Sequence, residues 1–133
     1  MKLQKLLYYC QGWHLAWDGV PLFKDRIEAW ANGPVVSAIY KRHRKRFTLS
    51  HPWPRSGAPD RLNRDETETV EAVLEGYGDW SAVQLTRSTH REPPWINARR
   101  GIPAGMPGTN VISLRDMQDY FAGLSGGLDV EEE

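Results

Sequence analysis

The spacing of apolar residues at the N-terminus constrains the fold most. Leu3, Leu6, Leu7, Cys10, Trp13, His14 and Trp17 recur at intervals of three and four. Only a helix gathers such positions onto one side, so the segment predicts a helix of about 16 residues with that stripe turned inward. Lys2, Lys5 and Gln11 fall off the stripe. Asp18-Gly19 ends the helix, and Pro21 reinforces the stop.

The rest of the chain reads as further elements that cover this stripe. Residues 22–31 are too short for a helix and read as a short strand or extended segment. Asn32-Gly33-Pro34 is a turn signal, and Pro34 suits the first position of a helix, where its missing N–H costs nothing. That helix would carry Val35, Val36, Ile39, Tyr40 and Phe47 inward, with the basic run Lys41 to Arg46 outward. Residues 48–64, with Pro52, Pro54, Gly57 and Pro59, read as a long loop. Asp65 and Glu68 have capping-box spacing before a helix that would bury Val70, Val73, Leu74 and Tyr77 and stop at Gly76 or Gly78. Asp79 or Ser81 would cap a helix over 80–89 with Trp80, Val83 and Leu85 apolar, and Pro93-Pro94 restarts a short helical turn. After a Gly/Pro-rich loop over 101–110, Ser113 and Asp116 form a second box. The helix behind it turns Met117, Tyr120, Phe121 and Leu124 inward and ends at Gly126-Gly127. The expectation is a mainly α, compact multi-helix single domain with at most a small β element, spanning 1–127, followed by an acidic disordered tail over 128–133.

Composition narrows the function classes. At 133 residues the chain is one domain, too short for a TIM barrel. No run approaches about 18 apolar residues, so no membrane span is expected, and the N-terminal segment is not a secretory leader. The one cysteine, Cys10, allows no internal disulfide or Cys-cluster zinc site and reads as a core thiol, which places the chain in the cytoplasm. The net charge is zero but uneven. Residues 1–64 hold 12 Lys/Arg against 4 acids, and residues 65–133 hold 5 Arg against 13 acids. That asymmetry fits a nucleic-acid surface, a charged protein partner, or two halves that complement each other within one fold.

A search for chemistry yields no catalytic, metal-ligating or cofactor-binding residues. There is no Gly-rich phosphate loop, no HExxH and no GxSxG, and His14, His43, His51 and His90 lie scattered. The basic run could hold phosphate by counterion release, yet consecutive helical positions point all round the cylinder and no nucleic-acid motif accompanies them. A solvated helix end is the favoured reading of the run. Arg42, Arg44, Lys45 and Arg46 are still candidates for a partner-binding face, as is Trp53, set between two prolines where a core has little need of it. In Thr89-His90-Arg91-Glu92-Pro93-Pro94-Trp95 an acid–base pair lacks a nucleophile. The block reads as structural, with His90 capping one helix end and Glu92 preceding the next.

KLQKLLYYCQGWHLAW (2–17), PLF (21–23), IEAWANGPVV (27–36) with Tyr40, THREPPW (89–95), Ala98-Arg99 and VISLRDMQDYF (111–121) together resemble the Panacea domain, the SocA-like antitoxin family often described as phage-associated. The resemblance runs in order over nearly the whole chain. It implies a mainly helical, non-enzymatic antitoxin of a type II toxin–antitoxin system that neutralises a cognate protein toxin by direct binding. Alarmone-synthetase-like enzymes are among the toxins such proteins neighbour. Trp30, Gly33, Pro34, His90, Glu92 and Trp95 carry the family motif and are expected to define the fold. Family members generally carry a further helix before the Lys-Leu-Gln-Lys-Leu-Leu segment. Its absence here implies a late start codon or a shortened member, with lowered stability or self-association through the uncovered stripe. Two alternatives draw on other functions: a nucleic-acid-binding transcriptional regulator, and a proteolytic adaptor that delivers a bound protein to a protease.

Overall fold

The computed structural model describes residues 2–41, 62–103 and 105–132, with side chains through residue 124. Six helices and one small hairpin follow in chain order: α1 (Lys2–Asp18), β1 (Glu28–Trp30), β2 (Gly33–Val35), α2 (residues 37–41 as described), α3 (Arg64–Tyr77), α4 (Ala82–His90), α5 (Pro93–Ala98) and α6 (Leu114–Glu132). The fold is mainly α, as the periodicity predicts.

α1 is the axis of the molecule, packed by α6, α3, β2 and α4. This surrounds the helix more completely than its apolar stripe implies. Lys5 and Gln11, off the stripe, are buried, together with Gln4, Tyr8, Tyr9, Gly12 and Leu15. On the stripe, Cys10 and His14 are buried, whereas Leu3 is 36% and Trp17 48% exposed. Burial here follows the neighbours each face meets, and Gln11 and His14 go inside where partners satisfy them. Gln11 accepts from Leu22 N at 2.7 Å and donates to Phe23 O at 2.9 Å, which pins the loop after α1. His14 Nδ1 lies 3.0 Å from Thr69 Oγ1 on α3 and 3.0 Å from the Asp18 carboxylate. α3 runs back along α1, with the Lys2 ammonium donating to Gly78 O and the Trp13 indole to the Tyr77 hydroxyl.

α6 crosses α1 at Gly12. A Cβ there would collide with the Phe121 ring, so the missing side chain sets how closely the two helices approach. Phe121 is fully buried and meets Tyr8, Tyr9 and Trp13 at ring-centroid distances of 5.7, 5.9 and 5.0 Å. Burying a ring of this size is worth about 2–3 kcal/mol. Cys10 is a core thiol, its pKa pushed up to about 12 by burial.

Several local expectations need correction. Pro34 does not open a helix; it lies in β2, opposite Ala29 in an antiparallel hairpin. The reason is the ladder. Ala29 turns its N–H to Asn110 O and its carbonyl to the Arg99 guanidinium, away from β2, so the proline faces the strand pair where no ladder bond is made. The α3 capping box is formed by Asn63 and Glu66, two residues before the expected pair. Leu74 and Val83 face solvent, 51% and 59% exposed. Leu124 is also exposed. Ser81 caps α4 through a box with Gln84. Ser113 Oγ accepts from Asp116 N at the start of α6, as its spacing predicts. α6 does not stop at Gly126-Gly127. Its backbone continues to Glu132, through the acidic stretch expected to fray, because neither glycine adopts the positive φ that turns a chain out of a helix. Among the described residues, no helix is long and apolar enough to cross a membrane.

Candidate functional site

The six motif residues, separated by up to 65 positions, meet on one side of α1. The Trp95 indole donates to Trp30 O at 2.9 Å, which ties α5 to the hairpin. Gly33 has φ +130°, and a Cβ there would lie 3.1 Å from Lys5 Cε and 3.2 Å from Thr89 Oγ1. Glycine is thus required twice, for the backbone and for the close approach of α1 and α4. Pro34 follows it in the hairpin. His90 stacks on Trp95 with centroids 4.2 Å apart, and the Arg99 guanidinium lies 5.1 Å from the same indole's centroid. Arg99 is buried and spends its donors on Ala29 O, Pro103 O and Met106 O, which holds the Gly/Pro-rich loop against β1.

Two centres of unusual electrostatics flank this knot. The first is cationic. The buried Lys5 ammonium is held below its ordinary pKa by desolvation. His90 is also lowered, first by burial and then by Lys5 and Arg99, against a hydrogen bond to the Asn32 carbonyl that raises it. Two buried nitrogens, Gln4 Nε2 and His90 Nε2, have no hydrogen-bond partner among the described residues.

The second centre is Glu92. It stands at the N-cap of α5, where the sequence places it, but its side chain makes no cap bond. Its carboxylate instead accepts from Tyr8 OH at 2.9 Å, Tyr9 OH at 2.9 Å and Ser88 Oγ at 3.1 Å. Burial raises its pKa, and the hydroxyls from Tyr9, Tyr8 and Ser88 oppose that rise. The carboxylate in turn raises the pKa of both tyrosines, beyond the effect of their own burial. One carboxylate thereby joins α1, α4 and α5.

Glu92 also forms the floor of an open groove of about 390 Å³ between α4 and α6, with Trp80, Arg87, Arg91 and Tyr120 around it. The Tyr120 hydroxyl has its pKa pushed up to about 12, by burial and then by Glu92. Sequence reasoning missed this groove, although a signal was present. Trp80, Gln84, Arg87 and Arg91 follow one another at helical intervals and so line up along one side of α4 and its two flanks. Lys5, Tyr8, Tyr9 and Arg99 were missed as well; nothing in their local pattern marks them as buried. The candidates Arg42, Arg44, Lys45, Arg46 and Trp53, and Phe47 with them, lie outside the described residues.

No solved structure matches the chain. Among curated proteins the chain is similar to the antitoxin SocA of Caulobacter vibrioides (strain NA1000 / CB15N), 33% identical over 128 residues. The match covers 86% of this chain and 65% of that protein, so the chain spans just under two-thirds of its relative's length. The family model described as antitoxin SocA-like, Panacea domain, matches residues 3–96. That span takes in α1, the hairpin, Glu92 and Trp95. The chain therefore belongs to the SocA-like antitoxin family of Panacea domains.

Proposed function

We propose that the protein is the antitoxin of a type II pair, acting in the cytoplasm and neutralising a cognate protein toxin by direct, non-catalytic binding. Membership in the antitoxin family over residues 3–96 carries this reading. The chemistry of the interior supports it. The buried carboxylate of Glu92 accepts three hydroxyl bonds that join helices, an arrangement suited to rigidity rather than to proton transfer. A rigid helical scaffold with arginines and half-buried aromatics at its surface is suited to holding another protein.

Co-expression with the protein encoded by the adjacent reading frame tests the reading. Inducing the neighbour alone should arrest growth, and adding this chain should restore it. The purified pair should co-elute and melt higher than either protein alone, since a ligand that binds only the native state stabilises it. Arrest that this chain leaves unrelieved removes the proposal.

A further inference from the structure

We propose that the groove between α4 and α6 is a docking subsite for an acidic segment of a partner protein bearing an aromatic side chain. Its ring would enter between Trp80 and Tyr120, and its flanking carboxylates would pair with Arg87 and Arg91. The inference rests on the toxin-binding reading for the partner's biological identity but not for its chemistry.

Charge complementarity selects the occupant. Arg87 and Arg91 are exposed, and neither forms an ion pair among the described residues. Guanidinium pairs of this kind recognise carboxylates through paired hydrogen bonds. A cationic segment would have to pass both arginines, and an anion driven to the floor would meet Glu92. The combination favours negative charge at the rim and a neutral ring inside. Three of the roughly four lone-pair sites on Glu92 are taken by Tyr8, Tyr9 and Ser88, leaving room to accept one further O–H. A tyrosine meets all three conditions.

Size and rigidity agree with this. A volume of about 390 Å³ exceeds what one aromatic side chain fills, which suits a ring with its adjoining backbone. Both walls are anchored: Trp80 packs on Tyr77 with centroids 4.9 Å apart, and Tyr120 on Phe121 at 5.0 Å. The rim stands on a helix with a complete N-terminal capping box and with Leu85 and Thr89 buried on its opposite side. Little ordering remains to be done on binding, so its entropic cost is low.

The full chain, labelled with ¹⁵N at its indoles, would be titrated with a capped pentapeptide, Glu-Asp-Tyr-Asp-Glu, while the Trp80 N–H signal is followed. A saturable shift is expected. Replacing the peptide's tyrosine by alanine, or using the R87Q/R91Q protein, should each lower the affinity about tenfold. Both arginines are exposed, so the variant keeps its fold; R64Q/R100Q, equal in charge but away from the groove, should bind as the unaltered chain does. No shift, equal binding by R87Q/R91Q, an equal loss in R64Q/R100Q, or tighter binding of a hexauridylate at the same signal would each overturn the assignment. In the growth assay R87E/R91E should lose rescue. Retained rescue overturns the groove, whereas failure of the unaltered chain to rescue removes the toxin reading and leaves the peptide result standing.

Discussion

The two sides of α1 differ in how burial relates to polarity. The side facing β2, α4 and the loop after the helix carries Gln4, Lys5, Tyr8 and Gln11, and all are buried. The apolar stripe mixes Leu3, Leu7 and Trp17, none fully buried, with Cys10 and His14, which are; Leu3 and Trp17 stand open to solvent. The buried polar side is held by specific bonds: Gln4 Oε1 accepts from Val36 N at 2.8 Å, Gln11 pins residues 22–23, and the tyrosines meet Glu92. Each bond is worth only about 1 kcal/mol net, but leaving a buried group unpaired costs about 1–3 kcal/mol. The polar side is therefore sensitive to any loss of a partner, and the open edge of the stripe, at Leu3 and Trp17, is tolerant.

The largest effect should come where the buried side meets α6. Gly12→Val places two methyls where the Phe121 ring lies, and the ring is walled by Tyr8, Tyr9 and Trp13 with no room to retreat. A loss of about 3 kcal/mol is expected, read as a fall in the midpoint of urea unfolding at unchanged slope. A loss under about 1 kcal/mol would mean that α6 slides easily on α1 and that the axis is less tightly packed than its contacts show.

Glu92 sharpens the comparison, because its effect depends on pH. Glu92→Ala strands the buried Tyr8 hydroxyl, leaves Tyr9 with Ser88 alone, and should cost about 2–3 kcal/mol. Glu92→Gln keeps an acceptor and should cost less, while changing the pH profile. The folded-state pKa of Glu92 is raised, so the native state holds its proton more tightly than the unfolded chain does. Its contribution is fully present below the ordinary carboxylate value and is lost as pH rises through the raised one. His90 has the opposite sign: its pKa is lowered, so its contribution is lost as pH falls below the ordinary imidazole value. Removing the carboxylate should therefore steepen the acid-side loss of stability. Parallel pH profiles for Glu92→Gln and the unaltered chain would place the carboxylate in a solvated setting.

These two sides also mark what was legible in the sequence. Local periodicity located α1, α3, α4 and α6, and the Gly-Pro turn marked the hairpin although not the role of Pro34 in it. Helix caps were readable to within two residues, as Asn63 and Ser81 show. That α1 is buried beyond its stripe was not readable. Lys5 and Gln11 are polar by type, and their burial depends on groups 11 to 84 positions away that only the folded chain brings near. The motif block around His90 and Glu92 was visible as a block, but its joining of three helices through Tyr8 and Tyr9 was not, since neither tyrosine lies on the predicted stripe. The α4 face was readable at helical spacing; its meaning depended on Tyr120, which α6 supplies.

The smallest effect should fall on the open side. Leu3 and Trp17 are 36% and 48% exposed, and the Trp17 ring is stacked on Trp13 at 5.1 Å. Replacing both, as Leu3→Ser with Trp17→Ser, removes apolar area that folding only half covers. The main loss is one aromatic contact worth about 0.5–1 kcal/mol. The double variant should melt within a few degrees of the unaltered chain, although it deletes two of the seven residues that define the helix's apolar stripe. A loss comparable to that of Gly12→Val would show that the open side is covered in solution, and sedimentation across a concentration series would then reveal a second copy on it. Equal sedimentation and a small loss would place the stripe's contribution in its buried members, Cys10 and His14, and in Trp13 against Phe121, not in its open edge at Leu3 and Trp17.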